Sequence, residues 1–274
     1  MRSNDTRLLS ARLARREQLS KVLRCAAEIV TVDDAVAALF MSRNAAAKLL
    51  SRWNRQGFLR RIRRGVYAPV PLAASAEDLV LEDPWMLVPV LFSPGYIAGA
   101  TAAEHWDLTD QMFRTVFVHT VGPVRHAKQT IYGTTFVLQH ITQHKLFGTK
   151  PLWRNKTKVQ ISDVHRTIVD MLDNPSEGGG IRHVADCLRE YFRRTDADIM
   201  KLVRYSDAVG NGAVFKRLGF LTEQAAGPPE LIKACKERLT HGIAKLDPAI
   251  ESKHLLKRWR LWLPNRAQAS YVDD

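Results

Sequence analysis

The sequence predicts an α+β fold, mostly helical, in two domains. A basic N-terminal domain spans 1–72. A larger mixed α/β domain spans 73–274, with strands in 73–162 and a helical bundle in 163–263. Three observations lead to this reading. The 274 residues are about twice what one core usually serves. The charge is lopsided: residues 1–70 carry 15 Lys/Arg against 5 Asp/Glu, whereas 71–274 carry 26 against 23. Apolar residues recur at three- and four-residue steps near both ends but alternate around 115–140.

The elements follow in order. Leu8, Leu9, Leu13, Leu19, Val22, Leu23, Ala26 and Ile29 trace one face of a helix over 7–29. Thr31 is an N-cap for a short helix over 32–39, with Asp33 and Asp34 in its first turn. Phe40 and Met41 make a turn. Ser42 caps a third helix from Arg43 to about Gln56, which Gly57 ends. Strands over 58–62 and 66–68 flank Arg63-Arg64-Gly65, a tight turn with glycine where a positive φ is needed. Helix, helix, capped helix and basic hairpin is the order of a winged helix-turn-helix. Beyond it, 75–82 reads as a connector helix, and Asp83 with Pro84 starts another. A helix runs from about Ala98 to Trp106. Strands fall at 115–121, 130–132, 134–140 and 159–161. Ser162 or Asp163 caps a helix through Leu172. Helices over 181–194, 196–208, 212–225 and 229–241 follow, with Asp196 and Asn211 as caps. The segment 248–263 reads as a basic amphipathic helix, with Leu255, Leu256, Trp259 and Trp262 opposite Lys253, Lys257, Arg258 and Arg260.

The third helix has two faces. Ala46, Leu49, Leu50 and Trp53 form an apolar stripe, and Asn44, Lys48, Arg52 and Arg55 form a polar one. An α-helix fits the DNA major groove, so Ser42, Arg43, Asn44, Lys48, Arg52 and Arg55 are the expected groove-reading set. Arg60, Arg61, Arg63 and Arg64 make a wing suited to phosphates or a minor groove. A surplus of ten positive charges on so small a domain points to a polyanionic partner.

Other chemistries find little here. Cys25, Cys187 and Cys235 form neither a disulfide frame nor a CxxC pair, which fits a reduced cytoplasmic setting. The charged N-terminus has no secretory core, and no apolar run is long enough to span a membrane. There is no phosphate loop, GxGxxG, HExxH or GxSxG, so no enzyme activity, cofactor or metal site is expected. His140 and His144 lack a third ligand. Asp163 as a cap and Arg166 with Asp170 at an i,i+4 step read as structure. The basic positions Arg166, Lys216 and Arg217 are candidates for protein contacts, with buried scaffold as the alternative for Arg166. Two further readings remain open. One is a metal-dependent nuclease with Asp107, Asp110, Asp163 and Asp170 as ligands. The other is a transcription factor whose C-terminal domain senses a small ligand.

Four strings go beyond composition: RRIRRGVYAPVP at 60–71, YIAGATAAEHWDLTDQ at 96–111, ISDVHRTIVDMLDNPSEGGGI at 161–181 and FKRLGFLTE at 215–223. In this order they resemble the AbiEi antitoxins of abortive-infection systems. His165 stands where that pattern commonly has Glu, and 248–263 has no counterpart in it. The resemblance implies an antitoxin domain marked by Asp163, Arg166, Thr167, Asp170, Arg217, Leu218 and Gly219. It implies one half of a type IV toxin–antitoxin module whose toxin is a nucleotidyltransferase-like protein. It also implies repression of the chain's own operon through duplex DNA bearing inverted repeats, with a dimer forming on that DNA.

Overall fold

The structure, a computed structural model, describes residues 16–26, 28–70 and 83–264. The expected start of the first helix at 7–15 and the connector helix at 75–82 lie outside these residues. The chain is mixed α/β and divides into two compact units. The first comprises Met1–Leu91 with Thr130–Gly133 and Trp153–Lys158. The second comprises Phe92–Gln129, Thr134–Leu152 and Val159–Asp274.

In the first unit α1 covers 16–25. Strand β1 (Val30–Thr31) leads into α2 (Val32–Leu39). Thr31 and Asp34 form a reciprocal capping box, which satisfies two amides that would otherwise be orphaned. Helix α3 (Arg43–Arg55) begins where the Ser42 hydroxyl accepts from the Ala45 amide. Gly57, at φ +79°, turns the chain into β2 (Leu59–Arg63), and Gly65, at φ +80°, turns it again into β3 (Val66–Pro69). The three strands form one sheet in the order β1-β3-β2. Val22, Ala26, Val32, Ala35, Ala46, Leu50, Trp53, Leu59 and Tyr67 close a dry core between helices and sheet. Each large side chain in such a core contributes about 1.5–3 kcal/mol. Asp83 caps a 3₁₀ turn over Pro84–Leu87, and α4 (Val88–Leu91) follows.

Most residues of a six-stranded sheet belong to the second unit. The sheet's strands are β4 (Gly95–Ile97), β5 (Thr115–Thr120), β6 (Lys128–Ile131), β7 (Thr134–His140), β8 (Thr149–Arg154) and β9 (Thr157–Ser162). Their order is β6-β7-β5-β4-β9-β8, with β4 antiparallel to β5 and parallel to β9. Strands β4 and β8 have no counterpart in the sequence reading. Strand β4 has three residues and begins at Gly95, and Pro151 interrupts β8, which hides the alternation. Helices α5 (Gly99–His105), α6 (Val164–Asp173), α7 (Ile181–Arg193), α8 (Ile199–Val209), α9 (Gly212–Gln224) and α10 (Pro229–Glu237) share one continuous apolar core.

Two expectations are corrected. Helix α8 is capped by Asp198, whose carboxylate accepts from the Lys201 amide at 2.8 Å, whereas Asp196 pairs with Arg194. The segment 248–263 is not a helix. It forms β11 (Ser252–Leu256), a 3₁₀ turn and β12 (Leu261–Pro264), and β12 also pairs with β10 (Ala244–Lys245). The reason lies in Trp259. Its ring is fully buried above Gly219 of α9, and its indole N–H donates to Glu223 at 2.7 Å. Arg260, at φ +52°, then reverses the chain, which a helix does not permit.

Gly219 has no room for a side chain, because a β-carbon there would lie 2.1 Å from the Trp259 ring. Helix propensity alone would make Gly219→Ala stabilising by about 1 kcal/mol. Overpacking against Trp259 reverses the sign. The substitution is expected to destabilise the full chain by about 1–3 kcal/mol in urea unfolding, and a raised midpoint would contradict this packing.

Candidate nucleic-acid interface and a buried polar centre

The amphipathic plan of α3 decides what its surface offers. Ala46, Leu50 and Trp53 are buried, so the opposite face must be wet. Arg43, Asn44, Lys48, Arg52 and Arg55 are all exposed, as is Ser42 at the cap. Arg43 pairs with Asp33 of α2. Among the described residues, the side chains of Lys48, Arg52 and Arg55 have neither an ion-pair nor a hydrogen-bond partner, and Arg52 and Arg55 fall in the last turn of α3. The hairpin is held to this helix by the Asn54 side chain, which accepts from the Arg61 amide at 2.9 Å.

The four hairpin arginines are exposed but not equivalent. The guanidinium of Arg63 donates to the carbonyls of Leu91 and Val90 at 2.9 and 2.8 Å. That of Arg60 lies 5.4 Å from the centre of the Tyr132 ring. Both are already in use within the first unit. Arg61 reaches only the carbonyl of Arg63, at 3.3 Å, and Arg64 extends from the turn. The cationic set open to a ligand is therefore Lys48, Arg52, Arg55, Arg61 and Arg64.

The residues singled out by motif in the second unit are buried, and each has a structural task. Asp163 accepts from the Arg166 amide at 2.8 Å and caps α6. Its second oxygen takes Lys201 Nζ and the Tyr205 hydroxyl, each at 2.9 Å. The Thr167 hydroxyl donates to the carbonyl of Asp163 at 2.9 Å. Arg217 donates to the carbonyls of Leu172, Asp173 and Lys245, so it caps the C-terminal end of α6 and ties it to β10. Leu218 is fully buried in the core, and Gly219 makes room for Trp259. Arg166, Lys216 and Arg217 are each less than 5% exposed, which corrects the protein-contact reading of Lys216 and Arg217 and agrees with the scaffold alternative for Arg166. Asp107 and Asp110 are exposed, whereas Asp163 and Asp170 are buried and engaged. Among the described residues no group of three or more His, Cys, Asp or Glu side chains is placed to hold a metal ion.

Sequence reasoning missed the polar centre beneath these motifs. Arg166 Nε donates to Asp170 at 2.8 Å, and its Nη2 donates to the Tyr96 hydroxyl at 3.0 Å. Tyr96 also lies 3.0 Å from His119 Nδ1, and His119 Nε2 lies 2.6 Å from a Glu177 oxygen. Asn174 donates to the other Glu177 oxygen at 3.0 Å. All five members from Arg166 to Glu177 are buried. The i,i+4 pairing of Arg166 with Asp170 was readable, and a further signal was His119, a histidine inside the strand TVFVHT. Burial opposes a charge on His119, but the carboxylates of Asp170 and Glu177 outweigh it and raise its pKa. Burial and Asp170 likewise hold the Tyr96 hydroxyl well above its ordinary range. Two carboxylates thus face the Arg166 guanidinium and a histidine whose protonated form they favour.

A raised folded-state pKa means that His119 contributes stability below its unfolded value of about 6.5. That contribution disappears as the pH rises through the folded value. The thermal midpoint is expected to fall across this window, and His119→Gln should flatten the profile while lowering its acidic plateau. An unchanged pH profile in the variant would contradict the charge assignment.

No family model and no curated protein matches the chain. Among solved structures, it is similar to the crystal structure of the RV2827C protein from Mycobacterium tuberculosis. The TM-score is 0.62 at 17% identity, over 89% of each chain. This likeness extends across both units and is a likeness of fold.

Proposed function

We propose that the first unit is a winged helix-turn-helix that binds duplex DNA, and that the chain is the antitoxin of a bacterial type IV toxin–antitoxin module repressing its own operon. One observation carries the DNA reading. The face of α3 opposite its buried stripe presents Lys48, Arg52 and Arg55 with no internal partner, and Arg61 and Arg64 lie on the hairpin that follows. Cations left unpaired on a rigid helix are available to replace the counterions of a phosphate backbone. The order α1, β1, α2, α3 and a two-stranded wing is the one in which the third helix enters a major groove.

The antitoxin reading rests on the resemblance of four strings to the AbiEi family. Three of them contain the buried joints of the second unit, namely Asp163, Arg166 and Asp170, Arg217 and Gly219, and Tyr96. They speak for kinship of fold and leave the surface that acts on a toxin to other residues. In this proposal the toxin is a nucleotidyltransferase-like protein encoded beside the chain. The exposed carboxylates Asp107 and Asp110 and the engaged pair Asp163 and Asp170 lend no support to the nuclease alternative.

Two experiments test the proposal. In fluorescence anisotropy on a duplex selected by the full chain, Lys48→Ala, Arg52→Ala and Arg64→Ala are each expected to weaken binding and to lower the salt slope by about one. Arg63→Ala should change the slope less, because its guanidinium is held by two carbonyls. Equal slopes for all four variants and the parent would refute the interface. In cells carrying the neighbouring toxin gene, the Lys48→Ala/Arg52→Ala double variant should still protect growth while failing to repress the operon. Loss of protection with a normally folded variant would refute this division of labour.

A further inference from the structure

Phe40 is at odds with its surroundings in two ways. It is 95% exposed, the highest value among the large apolar side chains of the described residues. It also stands at the C-cap of α2 in the left-handed conformation, at φ 51° and ψ 43°, where glycine or asparagine is ordinarily found. Leu39 and Met41, its neighbours on either side, pack on the first-unit core, whereas Phe40 does not. Folding therefore asks neither for this ring nor for a β-carbon at this position. A residue held in a sparsely populated conformation and turned fully into solvent suggests a task outside the fold.

Its position indicates the task. Phe40 lies two residues before the Ser42 cap of α3, in the turn that leads into the helix carrying Lys48, Arg52 and Arg55. After Met41 come the exposed Ser42, Arg43 and Asn44, and Asp33, at the other end of α2, is paired with Arg43. An apolar ring framed by polar and cationic groups does not suit an apolar protein face. It suits the one apolar group that duplex DNA displays among acceptors in its major groove, the 5-methyl of thymine. When the N-terminal residues of such a helix reach base edges, the turn before it lies at the lip of the same groove.

We infer that Phe40 is a specificity-determining residue that reads a thymine methyl at the edge of the site bound by α3. The inference rests on the DNA reading above and adds to it a sequence preference that charge does not supply. A contact with a methyl releases no counterion, so it changes affinity without changing the salt slope.

The test uses the full chain and a duplex selected by it from a random pool, together with the same duplex synthesised with deoxyuridine in place of each thymidine in turn. The parent protein is expected to lose about fourfold in affinity at one thymidine, the worth of one buried methyl. Phe40→Gly should bind the parent duplex about fourfold or more weakly, show no further loss with deoxyuridine there, and keep the parent's salt slope. It should fold at least as well, since glycine favours this backbone conformation, and Phe40→Asn provides the same comparison with a second residue that tolerates it. If both variants bind like the parent while Lys48→Ala still lowers the slope, the methyl contact is refuted and the DNA reading stands. If the parent shows no salt-dependent duplex binding, both fall. A change in the oligomeric state of free Phe40→Gly, with unaltered thymine preference, would assign the ring to a protein contact and likewise overturn the inference.

Discussion

The surface of the first unit follows from one constraint, that one side of α3 must be dry. Trp53, Leu50 and Ala46 are each no more than 2% exposed. With 3.6 residues per turn, burying them fixes Lys48, Arg52 and Arg55 in water. No separate device is needed to aim these cations. The apolar stripe that holds α3 to α2 and the sheet also orients the charged stripe. The Ser42 cap, Gly57 and the Asn54 contact with Arg61 then set where the hairpin leaves the helix. Helix α3 contains no acidic residue to pair with Lys48, Arg52 or Arg55, whereas Arg43 is neutralised by Asp33 from the neighbouring helix.

The second unit solves a different problem. Its centre holds an arginine, a histidine, a tyrosine and two carboxylates with almost no access to water. Isolated, each charge there would cost several kcal/mol. Together they form one connected network from Arg166 through Tyr96 and His119 to Glu177. An apolar core of the same volume is often as stable as such a network or more so, whereas removing one member leaves a buried charge uncompensated. Arg217 acts similarly at the far end of α6, where the carbonyls of Leu172 and Asp173 would otherwise be left without donors.

What the sequence made legible was local. Thr31 with Asp34, Ser42, Gly57 and Gly65 act within a few residues, and the helices and hairpin they bound could be read directly. Asn211 and Asp163 were legible as caps for the same reason. Long-range contacts were not. Helix α7 has no cap of its own, and its Ile181 amide is satisfied by Asp247, 66 residues away. The segment 248–263 carried a plausible helical stripe, but pairing of β12 with β10 and β11 and the burial of Trp259 outweighed it. Of the cationic positions, the exposure of the α3 set was readable from its period. The engagement of Arg60 with Tyr132 and of Arg63 with Val90 and Leu91 joins residues far apart in sequence, and no local pattern encodes it.

The most direct measurement of the central claim is the affinity of the unaltered full chain for duplex DNA as a function of salt. Five exposed cations on α3 and its hairpin, each neutralising one phosphate, predict that log affinity falls with log salt at a slope of about −4 to −5. A slope near zero, or no binding at low salt, would contradict the claim that this face exists to meet a phosphate backbone.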